Sequence, residues 1–132
     1  MARFFAISSL LFVIAITVGA NNVIAEDTDV RTCALTKVLE CTPEEGCKER
    51  TLQDMALPRF VQIDLKAKTM KSLDKTVQRS SKIASVERLE GFTVLHGTEK
   101  RGWTMALGDS GDLTLSVAGD GEGFIVFGSC IP

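Results

Sequence analysis

Residues 108–112 read Gly-Asp-Ser-Gly-Asp, a serine between glycines with a carboxylate on either side, and the chain has a single histidine, His96. Together they could supply a nucleophile, a base and an orienting acid, the set that acyl transfer requires. Two further groups invite chemistry. Asp109, Asp112, Asp120 and Glu122 offer oxygen ligands of the kind calcium takes, and Cys33, Cys41, Cys47 and Cys130 offer either a zinc site or disulfides. Which of these is real depends on the elements that hold the residues.

The first 25 residues, MARFFAISSLLFVIAITVGANNVIA, carry Arg3, an apolar stretch over 4–18, and small residues at Val23 and Ala25. That is the pattern of a cleaved signal peptide, with a cut after Ala20 as the second choice. The apolar stretch is shorter than the roughly 20 residues that a membrane span needs. The division is therefore a signal peptide over 1–25 and a single β domain over 26–132, with no stable membrane span after cleavage. Removing the leader takes Lys plus Arg from 15 to 14 and leaves Asp plus Glu at 17, so the net charge moves from -2 to -3. The basic residues read as dispersed, with no basic stripe interleaved with aromatics, so nucleic acid is not an expected partner. A chain of this size buries a modest core, which makes covalent staples useful.

All four cysteines lie beyond the leader, and an even count in an exported chain reads as disulfides. Their spacing lacks the paired knuckles of a zinc site. Apolar residues alternate at Val61, Ile63 and Leu65, at Trp103, Met105 and Leu107, and at Leu113, Leu115 and Val117. A period of two with one apolar face marks a half-buried strand. Less regular strands are expected over 33–41, 68–73, 82–88, 92–96 and 123–130, with Gly and Asp between the runs where hairpins need them. A turn or two of helix is expected within 48–57, ended by Pro58.

Eight short strands in sequence order suggest an all-β, antiparallel up-and-down meander, closed as an eight-stranded barrel or left as an open β-sandwich. With an even count, the first and last strands run antiparallel, which brings Cys33 beside Cys130 and leaves Cys41 out of reach of it. Cys33 and Cys41 within one extended strand would be about 26 Å apart and cannot bond. The pairing expected is Cys33 with Cys130 and Cys41 with Cys47, the second pinning a Thr-Pro-Glu-Glu-Gly turn at the start of the 42–58 connection.

The meander also judges the chemistry. Residues 108–112 resemble the Gly-Asp-Ser-Gly-Gly segment around the serine of trypsin-like proteases, but a strand of about 20 Å separates His96 from them. The stretch reads as a hairpin turn in which Asp and Gly take the special backbone conformations, and His96 as a hydrogen-bonded structural residue. Asp109 and Asp112 lie at the opposite end of a strand from Asp120 and Glu122, so the four cannot converge on one ion. No catalytic residue, metal or cofactor is assigned, and the protein is read as not an enzyme.

The runs PRFVQIDLKAKTM, GWTMAL, GDLTLSV and GFIVFGSC resemble a group of small exported bacterial proteins without assigned activity. The resemblance covers most of the chain beyond the leader and implies export and a compact disulfide-linked domain. Likeness to small periplasmic inhibitors and calycin-like binders is analogy of general design.

Two functions remain in view. One is a protein-interaction or inhibitor-like module of the cell envelope, periplasmic or secreted, with an envelope or extracellular protein as partner. The other is a calycin-like small-molecule carrier with its ligand inside the barrel. The interior set, which adds Phe124 to the alternating residues above, is bulky and nearly without polar groups, and favours the first. Binding is expected at the end opposite Cys33 and Cys130, where residues 42–58, 74–81, 97–101 and 119–122 gather. The candidate rim there comprises Glu44, Glu45, His96, Lys100, Arg101, Asp120 and Glu122.

Overall fold

The computed structural model describes residues 29–131. The expected signal peptide, residues 1–25, lies outside them. Among the described residues ten strands follow one another: β1 (Val30–Thr42), β2 (Gly46–Arg50), β3 (Phe60–Asp64), β4 (Thr69–Ser72), β5 (Ser80–Lys82), β6 (Ser85–Leu89), β7 (Phe92–Gly97), β8 (Gly102–Gly108), β9 (Asp112–Gly119) and β10 (Glu122–Ile131). They form one antiparallel sheet in the order β5-β4-β3-β1-β10-β9-β8-β7-β6, with β2 added to β1, and the sheet curls into a half-barrel.

The expected meander is present, with two departures. The expected strand over 82–88 divides into β5 and β6, which are joined only by Ile83 and Ala84. Ile83 donates its N–H to the Lys68 carbonyl, just before β4, and Ala84 donates to the His96 carbonyl on β7. A single bent stretch of chain thus runs from one edge strand, β5, to the other, β6, and with β2 also added the number of strands rises from eight to ten and stays even.

The helix expected over 48–57 is absent. Its first three residues belong to β2, because the Cys41–Cys47 bridge and the Cys41↔Cys47 register hold them against the free side of β1. The remainder forms turns, with Leu57 N–H donating to Leu52 and Ala56 N–H to Gln53, and brings Leu52, Met55 and Leu57 onto the core. Propensity for helix over so short a segment is worth less than the ladder and cross-link that compete with it.

β1 is the longest strand. One side pairs with β10 over almost its whole length, and the other is shared by β3 and then β2. Both expected disulfides are formed across directly opposed residues, Cys33–Cys130 with Cα atoms 3.9 Å apart and Cys41–Cys47 with Cα atoms 4.0 Å apart. The first closes a loop with a sequence separation of 97, for which the chain-entropy account gives about 4–5 kcal/mol.

Inside the curl lie the alternating residues. Val61, Ile63, Leu65, Trp103, Met105, Leu107, Leu113 and Leu115 are all buried. Val117 and Phe124 are only partly so, because they stand at the edge of the packed region. The core also takes Leu35, Val38, Ile83, Leu95 and Val126. On β1 a register shift between Leu35 and Lys37 explains why its pattern is irregular. Inward residues step from Leu35 to Val38 across a bulge, where an extra residue breaks the period of two.

Trp103 packs across Gly97, its partner on the neighbouring strand. A Cβ on Gly97 would stand 2.0 Å from Trp103 Cε2, so the indole occupies the space that any side chain there would need. Gly97→Ala should therefore cost about 1–3 kcal/mol in urea unfolding through forced repacking. Gly102→Ala, whose Cβ would meet nothing closer than 3.9 Å, should stay within about 0.5 kcal/mol. Equal effects of the two substitutions would contradict this packing.

Candidate functional site

Residues 108–112 form the turn between β8 and β9. Ser110 Oγ donates to Asp112 Oδ2 at 2.9 Å, and Gly111 N–H donates to the Gly108 carbonyl at 2.9 Å. Gly111 has φ +97°, and a Cβ there would lie 2.5 Å from the Cys130 carbonyl oxygen. Cys130 N–H in turn donates to the Gly111 carbonyl at 2.7 Å, and Asp109 N–H to the Gly91 carbonyl at 2.9 Å. The glycine pattern thus serves a close approach of two backbones. His96 Nδ1 is 3.0 Å from Thr104 Oγ1. Thr104 is its partner on β8 and lies four residues before Gly108, about 13 Å along the strand. Ser110 therefore has an aspartate as its hydrogen-bond partner and no imidazole within reach.

The opposite end holds the candidate rim. Arg101, at the close of the β7–β8 connection, reaches the β9–β10 turn: its Nε is 3.5 Å from Asp120 Oδ2 and its Nη1 3.4 Å from Glu122 Oε2. Its guanidinium sits 5.2 Å from the centroid of the Phe124 ring, and its stem covers Gly119. One arginine thereby fastens two adjacent hairpin turns, using charge, a cation–π contact and apolar stem together. Lys100 is exposed in the same connection, at φ 58°.

Glu44 and Glu45 lie at the tip of the β1–β2 hairpin. This tip continues from Thr42, one residue beyond the Cys41↔Gly123 pair and so beside Glu122. Glu45 meets Lys48 at 3.0 Å and Arg50 at 4.0 Å, while Arg50 Nε holds Glu40 Oε2 at 2.7 Å. The hydrogen bond and charge of Lys48 hold the Glu45 carboxyl below the usual carboxylate range. The favourable contribution of that pair is present above the ordinary carboxylate pKa and is lost as pH falls through the lowered value. Of the rim residues, Arg101, Asp120 and Glu122 are in contact, Glu44, Glu45 and Lys100 lie on exposed turns, and His96 lies apart on β7.

Asp109 and Asp112 are at the other end of β9 from Asp120 and Glu122. Among the described residues no three His, Cys, Asp or Glu side chains gather as metal ligands.

Sequence reasoning passed over a recess at the end that carries the Cys33–Cys130 bridge. About 380 Å³ in volume, it is lined by Arg31, Leu65, Arg88, Thr93, Leu107 and Asp109, among others. Thr93 is the buried polar residue within this lining, and Arg88 Nη2 contacts Asp29 Oδ1 at 2.9 Å. A signal existed. Arg31 falls two residues before the inward Cys33, and Arg88 two after the inward-leaning Val86, so both arginines occupy positions on the inner face.

Comparison with family models, with curated proteins and with solved structures gives no match for this chain. The disulfides themselves speak to setting. Two formed bridges, with no free cysteine among the described residues, fit an oxidising, extracytoplasmic environment.

Ser110→Ala removes one exposed hydrogen bond and should change stability by about 1 kcal/mol or less. It should leave binding intact, and the wild-type serine should not react with a fluorophosphonate. Covalent labelling of Ser110, read by mass spectrometry, would overturn the assignment of this segment as a turn.

Proposed function

We propose that the protein is a non-enzymatic, exported β domain, periplasmic or secreted, akin to small exported bacterial proteins, and that it acts as an interaction or inhibitor-like module of the cell envelope. The observation that carries this reading is the filled interior. Ile63, Leu95, Met105, Leu113, Val38 and Val126 are fully buried within the curl, so the middle of the half-barrel is occupied by side chains where a carrier of the calycin type holds its ligand. Recognition is thereby directed to loops on a rigid sheet.

The rim around Arg101 suits that role. Its two hairpin turns are fastened to each other before any partner arrives, which lowers the ordering cost of association. Glu44, Glu45 and Lys100 are exposed and supply charges that steer a protein partner. The test is cross-linking and pull-down from envelope extract with wild type, with a Glu44→Lys/Lys100→Glu variant, and with an Asp109→Asn/Asp112→Asn control at the far end. The partner should be lost with the first variant and kept with the control; the reverse result would move the binding surface to the other end.

The recess at the disulfide end favours a second reading, a carrier of a small amphipathic acid. Its volume falls within the range of small-molecule sites, and it sets guanidinium groups beside leucines, as an aliphatic carboxylate requires. A carboxylate at Arg88 would have to displace Asp29. Titration calorimetry with dodecanoate discriminates the readings. A carrier should bind it at one site and lose at least about tenfold in affinity on Arg31→Gln, whereas no binding by wild type would remove this second reading.

A further inference from the structure

The basic residues are not dispersed, contrary to the sequence expectation. Residues 59–82 contain seven of the chain's 15 Lys and Arg residues (Arg59, Lys66, Lys68, Lys71, Lys75, Arg79 and Lys82) but only two of its 17 acids, Asp64 and Asp74. This segment carries +5 in a chain whose net charge is -2. All seven cations are exposed, and among the described residues none of them makes an ion pair, whereas Lys37, Lys48, Arg50, Arg88 and Arg101 all do. The two acids are engaged by the backbone instead: Asp64 accepts from Ala67 N–H at 2.7 Å, and Asp74 accepts from Arg59 N–H.

The sheet turns this charge into a face. Val61 and Ile63 point into the core, so Phe60 and Gln62 point outward. Lys71 is the partner of Gln62, Lys82 is the partner of Thr69, and Leu73 N–H donates to the Phe60 carbonyl. Phe60, Leu73, Lys71 and Lys82 therefore share the outer surface of β3, β4 and β5. Phe60 is 44% and Leu73 48% exposed. Beside them the β4–β5 connection places Lys75 and Arg79 along a second, open recess of about 440 Å³.

We propose that this outer face docks peripherally on the surface of an anionic phospholipid bilayer. Two large exposed apolar side chains on a face that also carries unpaired cations match a bilayer interface, where phosphate groups lie directly above acyl chains. A soluble acidic polymer would satisfy the cations and leave Phe60 and Leu73 in water. The face is separate from the Arg101 rim and from the disulfide-end recess, so either reading of those sites can fail without affecting it.

The full chain, carried through export so that both disulfides form, is co-sedimented with phosphatidylglycerol-containing vesicles and with pure phosphatidylcholine vesicles. The expected result is preferential binding to the anionic vesicles, weakened at about 1 M salt, where screening shortens to about 3 Å. Lys71→Glu/Lys75→Glu should lower partitioning by about thirtyfold or more. Phe60→Ser/Leu73→Ser should lower it several-fold with all charges retained, and Lys37→Glu, outside the face, should bind as wild type does. Thermal unfolding of each variant confirms that its fold is kept. Equal binding to both vesicle types would overturn the proposal. So would undiminished binding by the Phe60→Ser/Leu73→Ser variant, or retention on heparin without any vesicle binding, which would assign the face to an acidic polymer.

Discussion

The pairing of β1 with β10 is the constraint on which the remainder of the fold depends. It joins the two ends of the described chain over nine residue pairs, from Thr32↔Ile131 to Cys41↔Gly123. Without it, β6–β10 would be a meander with an exposed edge at β10, and β3–β5 a small hairpin array unable to cover a core. Such a contact has a high loop-closure cost, because nearly the whole chain must be ordered between its partners. The Cys33–Cys130 bridge sits within this ladder and reduces that cost by restricting the unfolded chain. Close backbone approach accompanies the pairing: a Cβ on Gly128 would stand 2.4 Å from the Ala34 carbonyl oxygen, and one on Gly111 would meet Cys130.

Closing the sheet sorts the residues into three surfaces with different physics. At one end, Arg101 and the carboxylates of Asp120 and Glu122 lock two turns into a stiff rim, though each exposed contact is by itself worth little. At the other end, two arginines on the inner face open a recess beside the disulfide. Along the side, β3 to β5 carry cations whose nearest acids are engaged by backbone amides. This segregation comes from the sheet order. β3, β4 and β5 lie on the side of β1 away from β10 and the acidic β9–β10 turn, and they pair with its first residues, whereas the acidic β1–β2 tip stands at its far end.

Much was determined by the sequence alone. Strict alternation at 61–65, 103–107 and 113–117 identified three strands and their buried faces, since in a half-buried strand every second side chain must leave water. An even strand count sufficed for the disulfide pairing, because parity decides which strand ends adjoin; the division of one expected strand into β5 and β6 and the addition of β2 together bring the count from eight to ten and keep it even. The close placement of Arg101 with Asp120 and Glu122 followed from the same reasoning. The tertiary structure alone decided what depends on competition between distant segments. Residues 48–50 became a strand because β1 offered an unpaired edge and a cysteine opposite Cys47. The bulge on β1 obscured Leu35 and Val38 as core residues, since one extra residue resets the period. The recess at the disulfide end and the cationic face needed more than periodicity. Arg31 and Arg88 are far apart in the chain and meet only because the sheet curls, and Phe60, Leu73, Lys71 and Lys82 share a surface only because register, a property of paired strands, puts them there.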